Sequence, residues 1–408
     1  MTRPEAGGGT AGEQSQDHLR LLGHFQGAGY GAVTPPVLQP VEPFLELSGE
    51  DIRRRIFVTQ DASGSELCLR PEFTIPVCRH HLAHAPKDAP WKGAPRIADY
   101  SYLGPVFRLA GDEPDEFLQA GIESVGRTDT PAADAEVIGL ALDGLALLGR
   151  SDVAIRLGDM GLIDTLLDAL TVPPAAKRRT LRALAAGRSL DAITNGQRSE
   201  DPHAGLLAAI QGQDPKGVRA FVEDVLSIAG ISRVGGRSAG EIAERFLGKA
   251  AAQASGGSGL NAENRAIIER YRAIEGDPDA AASAVRDLAR EAGLDHPPLD
   301  AALDLFEERT GFMAARGLPV ERFRFSGGFA RNLDYYTGFI FEGTAPGAKA
   351  PLVGGGRYDG LLQHLGSPVP VPAVGCAVWL SRVAADASTP KDASTSKDGS
   401  NPKDARVG

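Results

Sequence analysis

Four polar clusters interrupt sequence that is otherwise apolar and strand-like. They are Leu69-Arg70-Pro71-Glu72-Phe73-Thr74, the pair Phe107-Arg108 with the later run Glu116 to Glu123, Arg331-Asn332-Leu333-Asp334-Tyr335-Tyr336-Thr337-Gly338, and Gly355-Gly356-Arg357-Tyr358-Asp359-Gly360-Leu361. A polar group buried without a partner costs on the order of 1 to 3 kcal/mol, so each cluster needs either a protein partner or a ligand. Glu72, Thr74, Gln119 and Glu123 supply acceptors for an ammonium or an N–H, whereas Arg108 and Arg331 are forked donors suited to a carboxylate. An amino acid has both ends. Glu123, Tyr336 and Tyr358 add acceptors and flat apolar faces, which suit an aromatic side chain bearing N–H groups, a description that imidazole fits. Composition alone leads no further than a pocket for a small zwitterion, and a buried salt-bridge network in a sheet accounts equally well for the same residues.

Other groups point to less. Cys78, His80, His81 and His84 could place two ligands on one helix face, but two ligands do not make a zinc site and no second cluster supplies the rest, so no metal is expected. Gly354-Gly355-Gly356 reads as a turn with glycines at positive φ in preference to a phosphate cradle. The three cysteines, Cys68, Cys78 and Cys376, are too scattered for a disulfide framework and read as reduced, buried thiols.

The 408 residues, 42% of them hydrophobic, can build one large core or two to three ordinary domains. A formal charge of −10 gives no bulk attraction to a phosphate backbone, so no nucleic-acid partner is expected. No apolar run approaches the roughly 20 residues that cross a bilayer, and the first residues lack a secretory h-region, so the expectation is a soluble, cytoplasmic chain without a membrane partner.

The clusters must be positioned by a sheet assembled from both ends of the chain. Leu19, Leu21, Leu22 and Phe25 fit a helix over Asp17 to Phe25, the prolines around Val37 favour an extended segment, and residues 56–60 and 66–70 flank a turn at Asp61 to Gly64 as a hairpin. A helix follows Pro71. Strands are expected around 96–110 and 117–126, separated by the acidic run Gly111 to Glu116, then a helix over Ala132 to Leu148 and a strand near 153–158. From Gly161 to about Arg316 strand signal almost vanishes, and RFRFSGG, LDYYTGFIFEG and AVGCAVWLSRV then restore it. The expected architecture is α+β, a mixed and mainly antiparallel sheet flanked by helices, with a helical insertion. Its expected segments are a flexible 1–14, a first core part 15–160, the insertion 161–316, a second core part 317–384, and a disordered Ser/Lys/Asp-rich tail 385–408.

In order and spacing the clusters resemble the signature segments of the class II histidyl-tRNA synthetase family, over roughly Asp17 to Val383. LRPEFT at 69–74 is similar to the family's LRPEGT, YLGPVFR at 102–108 to the start of its motif 2, and DAEVI at 134–138 to the helix that follows. RNLDYYTG at 331–338 is similar to RGLDYY, and GGRYDGL at 355–361 is identical to a family segment. The resemblance implies an amino-group site at Glu72, Thr74 and Gln119, an imidazole site at Glu123, Tyr336 and Tyr358, and carboxylate-facing arginines at Arg108 and Arg331. It also places Pro35-Pro36 at a dimer interface.

Departures from the family pattern fall on the nucleotide. The glutamate that reads adenine, two residues beyond the Phe-Arg pair, is replaced in Leu109-Ala110, and the basic residues that hold phosphates give way to Asp112, Glu113, Asp115 and Glu116, which would repel a triphosphate. The family's motif 3 Gly-Leu-Glu-Arg is here Trp379-Leu380-Ser381-Arg382, and about 25 residues stand where the family has an anticodon-binding domain. An amino-acid site kept without nucleotide machinery resembles the regulatory subunits of ATP phosphoribosyltransferase. That resemblance implies a non-catalytic chain without cofactor, partnered by a short-form catalytic subunit in a hetero-oligomer, dimerising with itself, and taking histidine as the feedback effector of the first step of histidine biosynthesis. The rival reading is a divergent histidine-activating ligase, which would have to bind ATP despite Trp379 and Ser381.

Overall fold

The computed structural model describes residues 11–84, 96–109, 114–185, 187–188, 190, 233–234, 237–238, 260–331, 333–348 and 350–387. The first half of the chain supplies strands β1 (Gly31–Ala32), β2 (Leu38–Pro40), β3 (Val58–Gln60), β4 (Glu66–Leu69), β5 (Ala98–Phe107), β6 (Glu116–Val125) and β7 (Ala154–Asp159). The short β8 (Arg233–Val234), β9 (Arg237–Ser238) and β10 (Glu275–Gly276) come next, then β11 (Phe323–Ser326), β12 (Phe339–Thr344), β13 (Val353–Arg357) and β14 (Ala373–Trp379).

Nine of these form one sheet in the order β1-β5-β6-β14-β13-β12-β7-β11-β10. Every pairing from β5 across to β7 is antiparallel, and only β1 with β5 and β7 with β11 run parallel. The sheet is therefore mixed and mainly antiparallel, as expected, and β14, β13 and β12 from the far end of the chain sit between β6 and β7 from its first half. The expected hairpin is present as β3 and β4, which β2 joins in a small separate sheet.

Side chains alternate across a strand, so register assigns each residue to a face. One row crossing five strands reads Tyr102, Gly121, Ala377, Gly354, Glu342. The opposite face carries Ala120, Ile122, Val374, Cys376, Val378, Phe339 and Phe341, all in the main apolar core with Val137, Ile138, Leu140, Ala141 and Leu145 of helix Thr130–Leu147. That helix is covered in turn by Leu21 and Phe25 of helix Ala11–Gly27 and by helix Pro297–Ala315. Gly144 permits the close approach, since a Cβ there would lie 2.5 Å from Leu21 Cδ1.

Four local expectations need correction. The first helix, Ala11–Gly27, begins before Asp17. Leu333 to Gly338 do not extend β12; Leu333 bridges to Ser48 and the Asp334 N–H donates to the Leu47 carbonyl at 3.1 Å, so the start of this loop satisfies its backbone away from the sheet. The chain turns helical at Leu380, because Leu380 and Val383 are buried on one face of helix Leu380–Ala387. Gly354-Gly355-Gly356 is no turn but the middle of β13, flanked by β12 and β14. Side chains have no room there: a Cβ at Gly355 would lie 2.2 Å from the Gly375 carbonyl oxygen, and one at Gly354 1.9 Å from Arg331 Nη1.

Candidate functional site

A cavity of about 400 Å3 opens on the face of the sheet that carries the Tyr102 to Glu342 row. One wall is the entry to helix Thr74–Ala83. Glu72 lies just before it, and its carboxylate accepts from the backbone N–H of Thr74 at 2.6 Å and of Ile75 at 2.9 Å, which caps the first helical turn. Burial pushes the Glu72 carboxyl upward, and those two bonds together with the Arg108 charge pull it back.

Arg108 leaves the end of β5, donates from Nε to the Pro71 carbonyl at 2.8 Å, and lies over the Phe117 ring at 5.5 Å. Loss of solvent pushes its guanidinium down to about 10 against the pull of Glu72. Arg331 enters from the loop before β12, donates from Nη1 to the Phe341 carbonyl at 3.1 Å, and faces Trp379 at 5.7 Å. Arg382 covers the same indole at 4.7 Å.

Behind this wall lies Glu123. The Thr74 hydroxyl donates to its Oε1 at 2.7 Å and the Tyr358 hydroxyl to its Oε2. Burial raises the Glu123 carboxyl to about 8 although both hydroxyl bonds oppose the shift, so the group is largely protonated at neutral pH. Gly375, its register partner on β14, makes the space: a Cβ there would lie 1.6 Å from Glu123 Oε2.

Of the eight residues singled out in the sequence, Glu72, Thr74, Arg108, Gln119, Arg331 and Tyr336 line the cavity, whereas Glu123 and Tyr358 are packed behind it. Three buried polar atoms of the cavity lining have no partner among the described residues: Gln119 Oε1, Arg331 Nε and Trp379 Nε1. A site of this kind can grip a carboxylate with two guanidiniums, a cation with Glu72, and an N–H with the Gln119 oxygen. Sequence reasoning missed Tyr102, Glu342 and the space-making Gly121, Gly354 and Gly375. Strand alternation hinted at Tyr102, but only the register puts it opposite Gly121.

The polar clusters divide between the two sheet faces. Arg357, inside GGRYDGL, points away from the cavity and pairs with Asp134 at 2.6 Å and Asp359 at 2.9 Å. Asp134 also receives Arg309 at 2.7 Å, and Arg309 reaches Asp159 at 2.8 Å. This chain of buried charges ties helices Thr130–Leu147 and Pro297–Ala315 to β7 and β13, and is structural. The histidines lie apart from both. His81 is buried with Nδ1 3.1 Å from the Tyr100 hydroxyl and is held neutral, down to about 4, by loss of solvent, while the His80 and His84 rings lie tilted with centroids 4.0 Å apart. Among the described residues no group of three or more His, Cys, Asp or Glu is placed to hold a metal ion.

Comparison with known proteins follows the same lines. The family model described as histidyl-tRNA synthetase matches residues 10–227 and 217–383. An ATP phosphoribosyltransferase regulatory subunit of Mesorhizobium japonicum is 41% identical over 87% of this chain and 92% of its own length, and one of Agrobacterium fabrum is 39% identical over 90% and 95%. Among solved structures, an ATP phosphoribosyltransferase regulatory subunit/histidyl-tRNA synthetase from Bacillus halodurans superimposes with a TM-score of 0.61 at 21% identity, covering 95% of this chain and 83% of that one. A histidine–tRNA ligase subunit from Alicyclobacillus acidocaldarius gives a TM-score of 0.54 at 25% identity, covering 94% and 96%. The fold is that of a class II histidyl-tRNA synthetase-like domain. Within that class the chain belongs to the family of ATP phosphoribosyltransferase regulatory subunits.

Proposed function

We propose that this chain is the regulatory subunit of an ATP phosphoribosyltransferase, that it carries no catalysis of its own, and that it binds histidine in the cavity between helix Thr74–Ala83 and the sheet. The reading rests most on Gln119 Oε1, Arg331 Nε and Trp379 Nε1, three buried polar atoms of the cavity lining that lack a partner among the described residues. Such atoms are costly unless a ligand completes them. Glu72, Thr74 and Gln119 take the α-ammonium, and Arg108 and Arg331 the carboxylate. Tyr336 provides a face for the imidazole, whose N–H reaches Glu123 by displacing the Thr74 hydroxyl, with Tyr358 still bonded behind.

The nucleotide side of the site supports a chain without chemistry of its own. The Arg331 and Arg382 guanidiniums both lie over the Trp379 indole, and Leu109 is 45% exposed with no polar atom in its side chain to read a base. The partner is a short-form catalytic subunit that lacks its own regulatory domain, and the segment at Pro35-Pro36 forms a self-dimer within the hetero-oligomer. Histidine then shifts the assembly toward an inactive state by its differential affinity for the two states and by no more.

Calorimetric titration of the purified chain with histidine, and separately with ATP and magnesium, tests this. Histidine binding without ATP binding is expected, followed by histidine-sensitive transferase activity on mixing with the catalytic subunit. ATP binding accompanied by pyrophosphate exchange would return the chain to the ligases.

A further inference from the structure

We infer that Asp334, gripped by Arg53, is a positioning residue that holds the Arg331 guanidinium over the cavity and so sets affinity for the ligand's carboxylate; this rests on the histidine reading of the site. The loop from Arg331 to Gly338 is pinned at two separate points. Its C-terminal half is tied to the end of β13, where the Thr337 N–H donates to the Arg357 carbonyl at 2.9 Å and the Thr337 hydroxyl accepts from the Asp359 N–H at 3.0 Å. Ring packing adds to that hold, with Tyr335 against Tyr358 at 5.7 Å and Tyr336 against Tyr335 at 4.9 Å. Tyr336 is thus placed without help from Asp334.

The N-terminal half depends on other contacts. The Leu333 N–H closes a tight turn onto the Arg331 carbonyl at 2.7 Å, Leu333 bridges to Ser48, and the Asp334 N–H donates to the Leu47 carbonyl at 3.1 Å. Arg53 locks that junction. Its Nε donates to the Ser48 carbonyl at 2.6 Å and its Nη2 to the Glu46 carbonyl at 3.0 Å, while Nη2 also reaches Asp334 Oδ2 at 3.3 Å. Arg182 approaches the same oxygen at 3.9 Å from helix Pro174–Ala185. The one guanidinium therefore binds the segment at Glu46 to Ser48 and the loop that carries Arg331. Without the carboxylate the loop keeps its backbone bonds but loses the charge that draws it onto Arg53, and Arg331 has a flexible stem whose tip must sit above Gly354 to be useful.

The test is D334N, with D334E as the conservative variant, each titrated with histidine and with histidinol, which keeps the ammonium and imidazole but has no carboxylate. D334N is expected to weaken histidine about tenfold, a change of about 1.4 kcal/mol, to leave histidinol unchanged, and to be restored within about threefold by D334E. Amide exchange over residues 331–334 should quicken in D334N without ligand. Wild-type affinity for histidine in D334N, or an equal loss for histidine and histidinol, overturns the assignment. If the wild type binds neither compound, the histidine reading fails, and unchanged amide exchange in D334N would still refute the positioning role separately.

Discussion

The protonation of Glu123 makes a sharp prediction about stability and pH. Its carboxyl is raised from 4.5 to about 8 in the folded chain, chiefly by burial, so the folded state holds a proton that the unfolded state has released. A raised acid contributes stability that is complete below its unfolded value and is lost as pH climbs through the folded one. His81 acts in the opposite sense, because burial lowers it to about 4, but it matters only below its ordinary 6.5. Raised thiols and phenols, such as Cys68 and Tyr30, act only near and above their ordinary 9 and 10. Between about pH 6.5 and pH 8 the Glu123 proton therefore stands largely clear of these groups, and integrating its release over that window gives a loss of about 1.5 kcal/mol. Glutamine has the shape of a protonated glutamate; its oxygen can accept from one of the Thr74 and Tyr358 hydroxyls while its amide N–H donates to the oxygen of the other. Relative to the wild type, E123Q, which has no proton to release, should gain about 1.5 kcal/mol of stability between pH 6.5 and pH 8. Urea unfolding of both proteins across the window reads the difference. Parallel curves for the two proteins would show that Glu123 is already ionised when folded, and the burial argument would be wrong.

Three further outcomes follow from the geometry. Tyr358→Phe removes one of the two hydroxyl bonds that hold the Glu123 carboxyl down, so the pH at which stability declines should move upward in the same unfolding series. Gly354→Ala places a methyl 1.9 Å from Arg331 Nη1; the flexible guanidinium can swing away, so calorimetry should show histidine affinity reduced about tenfold or more while the thermal midpoint changes little. Arg309→Met leaves Asp134 and Asp159 buried with one cation fewer, and unfolding should show a loss of about 3 to 5 kcal/mol with histidine affinity of the folded fraction unchanged. A stable R309M protein would mean that Arg357 alone neutralises the Asp134 charge.

Much of this molecule is legible in the order of its residues. Hydrophobic period and turn chemistry are local properties, so the β3–β4 hairpin, the long strands β5 and β6, and the apolar helix over residues 130–147 can be read directly from the chain. Four cavity-lining residues can be read the same way, because Glu72, Arg108, Gln119 and Arg331 each put a charge or an amide into apolar surroundings. Pairing is different. That β14 lies beside β6 with Gly375 opposite Glu123 depends on contacts between segments more than 200 residues apart, to which no local pattern is sensitive. The triple glycine shows the consequence. By itself Gly354-Gly355-Gly356 favours a turn, since glycine tolerates positive φ at no cost, and only the packing of Arg331 and the β14 backbone against β13 turns the same residues into a strand with no room for side chains. Arg357 and Tyr358 are neighbours with one motif and opposite fates, one joining a buried ion network and the other bonding Glu123 behind the cavity. Residue types decided what kinds of chemistry this chain could hold, and the register of the assembled sheet decided which face each group would serve.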